Sequence, residues 1–346
     1  MYDGIWISLV VFIQWKLQGV CILITYQQAL GMVEPGAKKS ILLANGFSQA
    51  WNARIFNYKN LLETADFGPR SDVVRRIFES FKTYDFEKIM KKLIATETIL
   101  RLYGADQNVI EMVVSDQETV KSALITAISQ THPSLPSEVT DQQYVAVRTF
   151  LQQFSQIFTL NYDLLFYWAR NKMALDPPGY ETDDGFRAYR TWVGPTSQNV
   201  HFLHGGLHIY DTQAGIKKHA CTDEGESIIE QVRVNMENKR FPTFVSEPTH
   251  ERKRVRIQHN PYLNFCFQKL AKLDGAMFVF GHSIDENDKH IFDEINNSRV
   301  GSVFVSIYGD PRSGENLLAQ ARANAYLSAK DVVFFTAESA PVWSSR

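Results

Sequence analysis

Short, unbroken apolar runs alternate along this chain with longer stretches in which apolar residues return every third or fourth position. Runs at 41–44, 156–160, 200–203, 276–280, 302–307 and 332–335 predict strands buried on both faces. Periodic stretches after Thr25, after Asn45, and at 144–154, 262–273, 286–296 and 317–328 predict helices. The first of these has a start signal, with Thr25 as N-cap and Gln28 completing a capping box. Strands alternating with helices imply an α/β fold, a Rossmann-like parallel sheet with helices on both faces.

The longest periodic stretch, residues 71–131, sets Val73, Val74, Ile77, Phe78 and Phe81, then Phe86, Ile89, Met90, Leu93 and Ile94, at helical spacing. It is expected as a helical insertion packed on the sheet domain, serving as a lid or an oligomerisation surface. Residues 209–260 are polar and punctuated, with a short strand expected at 242–245, and suit a small subdomain. Residues 1–24 hold two apolar runs separated by Gln14, Lys16, Gln18 and Gly19. A membrane-spanning helix needs about 20 mostly apolar residues. This segment is therefore expected as an apolar N-terminal extension before a single domain over 25–340, and no membrane partner is expected.

With 346 residues, 45% of them apolar, the chain can fill an ordinary core. Its formal charge of -2 gives no general case for nucleic acid as a partner. The strongest basic cluster, Arg252, Lys253, Arg254 and Arg256, is expected as a solvated strand or loop face; contact with a pyrophosphate, a nucleic acid or a regulatory partner is the alternative. Cys21, Cys221 and Cys266 are too scattered for a four-cysteine zinc site or a disulfide framework, which suits a reducing cytoplasm. His201, His204 and His208 have the look of metal ligands, but Gly205 and Gly206 interrupt any helix that would align them, and no metal site is expected.

Ligands of an open parallel sheet bind beyond the carboxyl ends of its strands, so the residues that follow the apolar runs carry the candidate chemistry. Asn45, Gly46, Phe47 and Ser48 follow the first run. Gly46 would let a phosphate approach the backbone, the next helix would offer free N–H groups, and Ser48 would add a hydroxyl; an ordinary strand-to-helix turn reads the same way. Asn161, Tyr162 and Asp163 follow the second. The Asn161 amide can donate and accept toward ribose hydroxyls or a water, while Asp163 is also placed to cap a helix over 164–170. His204 ends the third run, ahead of two glycines. An imidazole near its ordinary pKa of about 6.5 takes a proton from a hydroxyl at neutral pH; a turn histidine bonded to backbone is the other reading. Gly281, His282 and Ser283 follow the fourth run.

Taken in order, Gly46-Phe47-Ser48, Thr159-Leu160-Asn161-Tyr162-Asp163, Leu203-His204-Gly205, Val245-Ser246-Glu247 and Gly281-His282-Ser283 resemble the sirtuin family. They resemble more closely its bacterial branch, which includes NAD-hydrolysing effectors of antiphage defence. The resemblance implies NAD+ as substrate, with the turn around Asn45, Gly46, Phe47 and Ser48 at the pyrophosphate and Gly281, His282 and Ser283 on the phosphate and adenosine side. It implies Asn161 at the nicotinamide ribose, Asp163 supporting the turn, and His204 as the catalytic base.

Two departures narrow it. Sirtuin deacylases normally carry a four-cysteine zinc module where residues 205–245 hold only Cys221, so the subdomain is expected to lack zinc. Phe56, Asn57 and Tyr58 stand where the family has an aspartate and an arginine near the nicotinamide pocket. The activity implied is an NAD+ glycohydrolase restrained by self-assembly or a regulatory partner. A non-catalytic NAD or ADP-ribose sensor is the alternative, and a deacylase or ADP-ribosyltransferase is disfavoured by the missing cysteines.

Overall fold

The computed structural model describes residues 23–54, 56–172, 181–220, 227–238, 240–247 and 249–344. Strands β1 (Lys39–Leu43), β2 (Gln156–Thr159), β3 (Val200–Phe202), β4 (Gly205–Gly206), β5 (Ile209–Thr212), β6 (Gly215–Lys218), β7 (Thr243–Phe244), β8 (Asp274–Phe280), β9 (Arg299–Ile307) and β10 (Asp331–Thr336) follow in chain order. Six of them form one parallel sheet in the order β10-β9-β8-β1-β2-β3. This is the Rossmann-like sheet, with helices packed around it, that the alternating pattern predicts. The strands are apolar because both faces are covered: Ser40 to Leu43 of β1 and Ala276 to Phe280 of β8 are all buried. From β1 the chain builds outward through β2 and β3, then returns to the other side of β1 with β8. The order reverses between β1 and β8, which is where such sheets open a ligand crevice.

Several expected elements end where polar chemistry begins. β1, β2 and β3 each stop one residue short of the apolar run, releasing the backbone ahead of Asn45, Asn161 and His204. The helix after β1 is only Asn45–Gln49, so the expected turn at Asn45 and Gly46 is already its first turn. The helical stretch 71–131 resolves into Ser71–Ser80, Phe86–Leu102 and Gln107–Thr131. Lys82 and Gly104, both with positive φ, end the first two, and the side chains of Asp85 and Asp106 cap the starts of the next two. Arg70 grips the buried carboxylate of Asp116 through two bonds of 2.7 and 2.8 Å, holding this segment together.

Residues 209–260 contain the β5–β6 hairpin and the helices Ile228–Glu237 and His250–His259; β7 pairs antiparallel with β4 and supplies the expected short strand. The hairpin is tied to the sheet domain by Asp184, which accepts from Arg170 at 2.8 Å and from Lys218 at 2.6 Å. The basic cluster departs from expectation. It lies on the helix His250–His259, capped by Thr249, and the period of that helix turns Lys253 inward, where it is 1% exposed. Of the N-terminal extension, Ile24 bridges to Phe335 at the sheet's edge; the apolar runs before it, with Cys21, lie outside the described residues, as does Cys221. No helix among the described residues is long and apolar enough to cross a membrane.

Candidate functional site

Leu43 pairs with Phe280 on one side and Thr159 on the other, and Thr159 pairs with Phe202, so β8, β1, β2 and β3 end at one level. Gly281, Gly46, Asn161 and His204 therefore follow one another along a single edge, across the reversal of strand order. The two glycines close its centre. Gly46 N–H donates to Gly281 O at 2.9 Å, and a Cβ on either residue would lie 2.5 Å from the other's Cα. Gly281, at φ +71, also needs the conformational freedom only glycine has. Close backbone approach here is thus between two strand ends, and the Gly46 N–H is engaged within the protein.

Beside the glycines, Ser48, Asn161 and Asp163 form a buried knot. Ser48 Oγ donates to Asp163 Oδ2 at 2.5 Å and accepts from Asn161 Nδ2 at 2.8 Å, while Asp163 Oδ1 accepts from Leu165 N–H at 2.9 Å. Burial pushes the Asp163 carboxyl up to about 6, against the pull of these donors. His132 buttresses the knot. Its Nε2 accepts from Leu164 N–H at 2.8 Å and its Nδ1 lies 2.7 Å from Pro133 O, so Nδ1 carries the proton. The hydroxyl that the sequence offers to a phosphate is held inside this network. Phe47 likewise faces the core, against Phe166 and Trp343, whose Nε1 donates to Phe47 O at 2.7 Å. Asn45 and Ser283 are the exposed members of the predicted set, and Asn45 Nδ2 donates to Phe56 O.

His204 leads into a second group with a different character. Lys253 Nζ donates to Glu87 Oε2 at 3.0 Å and to Asp288 Oδ1 at 2.9 Å. His282 Nδ1 accepts from Ile284 N–H at 2.7 Å, which leaves its Nε2–H to donate to Asp288 Oδ2 at 3.2 Å. That turn holds Ile284 at φ +52, a strained conformation for a β-branched residue. Asp288 Oδ1 also lies 3.8 Å from His204 Nε2, a nitrogen that is buried without a hydrogen-bond partner.

Burial and neighbouring charge together decide the protonation states. Burial opposes ionisation of Asp288, but Lys253 and His282 overcome it and hold the carboxyl well below its usual range. Burial also opposes the Lys253 ammonium, yet Asp288 and Glu87 outweigh it and raise its pKa. Burial, followed by Asp288 and in spite of Lys253, pushes Glu87 up to about 7. His204 is driven well below an ordinary histidine by burial and then by Lys253, with Asp288 pulling the other way. The sequence places this imidazole near 6.5; in the fold it is firmly neutral because it is 2% exposed beside an ammonium group.

Tyr162 joins the two groups. Its hydroxyl donates to Val245 O at 2.5 Å, and its ring lies nearly parallel to His204 at 6.4 Å. Val245 N–H in turn donates to His204 O at 3.1 Å, so the Val245-Ser246-Glu247 segment fixes the histidine's backbone.

A family model described as Domain of unknown function (DUF4917) matches residues 41–343, from β1 to the tryptophan that bonds Phe47. The chain belongs to this family. Its DUF4917 match takes in every residue of the site. Two solved structures are similar at low overlap. One is a Sir2 homologue mutant in complex with 2'-O-acetyl ADP ribose, with a TM-score of 0.33 and 12% identity over 87% of this chain and 96% of that one. The other is a Sir2 homologue mutant in complex with ADP ribose, with a TM-score of 0.31 and 12% identity over 87% and 97%. No curated protein matches the chain.

Four residues gathered beside His204 escaped the sequence: Glu87, Lys253 and Asp288, and His290, whose ring lies 5.7 Å from that of His204. Glu87 starts a helix of the insertion, Lys253 lies in the basic cluster, and Asp288 and His290 straddle a helix start after the fourth motif. Glu87 and Asp288 share the N-cap or first-turn pattern that acidic residues adopt at any helix start, so nothing in local spacing marks them. The three predicted histidines also part company. His201 bonds Gln156 Oε1 at 2.9 Å and stacks on Phe158, and His208 stacks on Tyr167 with ring centres 4.1 Å apart. Only His204 joins Asp288 and His290 in a group whose ligand atoms lie within 4.8 Å of one another.

Proposed function

We propose that this protein is an NAD+ glycohydrolase that cleaves the bond between nicotinamide and ribose, and that it acts as an effector of bacterial antiphage defence. The observation that carries the chemistry is the shared strand edge. Gly281, Gly46, Asn161 and His204 succeed one another at the carboxyl ends of β8, β1, β2 and β3, across the point where strand order reverses. The defence role is supported by the sirtuin-like motifs alone.

The reaction consumes water. The C–N bond to nicotinamide breaks through an oxocarbenium-like state, a water oxygen bonds to the anomeric carbon, nicotinamide leaves with the bonding pair, and one proton is released. Asn161 would hold the ribose and that water, giving up its bond to Ser48. His204, neutral and with an unpartnered Nε2, would take the proton of a ribose hydroxyl, which regains one from the attacking water, so that a single proton leaves overall. The Asp288 carboxylate, 3.8 Å away, would then face the new imidazolium and offset the repulsion of Lys253.

The purified protein, incubated with NAD+, is expected to release nicotinamide and ADP-ribose. His204→Ala or Asn161→Ala should lower that rate by about 100-fold or more, with the fold intact by circular dichroism. A wild-type rate in either variant overturns the assignment. The burial of both residues favours one other reading, a sensor that binds NAD+ or ADP-ribose without turnover; tight binding with no nicotinamide release would establish it.

A further inference from the structure

The reaction above gives His204 a task and leaves His290 none. His290, on the helix Lys289–Asn297, is 1% exposed, and both of its ring nitrogens lack a partner. A buried polar group left unpaired opposes folding, so an imidazole with two such nitrogens points to a missing partner. His204 Nε2 is orphaned in the same way, and the two rings lie nearly parallel with centres 5.7 Å apart. The carboxylate of Asp288 completes the set, its oxygen and the two imidazole nitrogens all within 4.8 Å of one another.

We propose that His204, Asp288 and His290 form a binding site for a divalent transition-metal ion. Two imidazoles and one carboxylate suit zinc, iron(II) or cobalt(II), whereas magnesium and calcium prefer oxygen ligands throughout. Asp288 is already oriented as a ligand. It accepts one bond on each oxygen, from Lys253 and from His282, which leaves a lone pair on each for an ion. Such outer donors are the usual supports of a ligating carboxylate. The Lys253 charge opposes a cation, but Glu87 faces the same ammonium at 3.0 Å and diverts part of its field.

An ion on His204 Nε2 would occupy the lone pair that the proposed hydrolysis needs. Metal would then hold the enzyme silent; this consequence rests on the glycohydrolase reading, whereas binding itself does not.

Cobalt(II) added to chelator-treated protein tests the site directly. Wild-type protein should develop the visible absorption of nitrogen-ligated cobalt and a higher Tm, and His290→Leu and Asp288→Asn should each lose both responses. Should Asp288→Asn fold poorly, His290→Leu, which keeps an apolar filling, decides alone. In the NAD+ assay, the zinc concentration that halves nicotinamide release should rise about 10-fold or more in His290→Leu. No cobalt absorption in the wild type, or an unchanged spectrum in His290→Leu, overturns the site whatever the outcome with NAD+. Cobalt binding without zinc inhibition retains the site and removes its control of hydrolysis.

Discussion

Ser48, Asn161, Asp163 and His132 make one polar region of the strand edge, and His204, Asp288, Lys253, Glu87, His282 and His290 make the other. In the first, each bond described ends on a partner: a hydroxyl, an amide and a neutral imidazole surround a single carboxyl, raised to about 6, whose two oxygens accept from Ser48 and Leu165. In the second, an ammonium and a carboxylate are buried as ions while three imidazole nitrogens have nothing to bond. Both regions sit after strands of the same sheet. The first is built to hold its shape, whereas the second stores charge and unused bonding capacity, which is the condition a ligand or a reaction can exploit.

The contrast predicts unequal responses to deletion. Lys253→Met leaves Asp288 and Glu87 facing each other in a buried site, and removing one partner of a buried ion pair typically costs about 3–5 kcal/mol. Ser48→Ala strands a carboxyl oxygen and an amide, for about 1–3 kcal/mol. Denaturant titration at pH 7 should rank them in that order. Adding Glu87→Gln to Lys253→Met should recover part of the loss by removing one of the two stranded acids. Equal losses from Lys253→Met and Ser48→Ala would break the distinction between the regions.

Acid should probe the first region through His132. Burial pushes its imidazole down to about 4, against the help of Pro133 O, and protonation would cut its bond from Leu164 N–H. The unfolded chain binds this proton near pH 6.5 and the folded chain only near 4. The stability His132 contributes is therefore complete above pH 6.5 and is lost as pH falls toward 4, at up to about 1.4 kcal/mol per pH unit. His132→Gln should flatten the decline between pH 6.5 and 5 by up to about 2 kcal/mol relative to wild type, whatever its stability at pH 7. Parallel curves for the two proteins would show that His132 does not titrate in this way.

The difference between the regions also decides what the sequence reveals. The unbroken apolar runs give the six-stranded sheet, because a strand buried on both faces needs apolar residues throughout. The residues just past those runs, Gly46, Asn161, His204 and Gly281, were legible because the sheet topology sends every strand end to one edge. The burial of Lys253 is not legible because its local signal, a run of arginine and lysine, describes a solvated strand or loop face; only the tertiary packing of the helix His250–His259 against Glu87 and Asp288 buries one member of the run. Ser48 was visible as a polar residue at a strand end, but its bonds depend on Asn161 and Asp163, more than a hundred positions away. Even the pKa of His204 belongs to this class, since it is set by burial and then by Lys253, opposed by Asp288, both far from it along the chain.

The smallest expected effect is the most discriminating. His290→Leu removes two orphaned nitrogens, whose burial opposes folding, and exchanges a ring stacked near His204 and Phe267 for an apolar side chain of similar size. Relief of the orphaned groups favours the variant, and imperfect repacking, typically under about 1.5 kcal/mol, opposes it. In chelator-treated protein at pH 7 the net change should lie within about 1 kcal/mol of zero, by denaturant titration, in contrast to the loss from Lys253→Met. A loss above about 3 kcal/mol would mean that the His290 nitrogens are already bonded in the folded protein. The second region would then be as fully satisfied as the first, and its spare bonding capacity, the property that separates the two, would be gone.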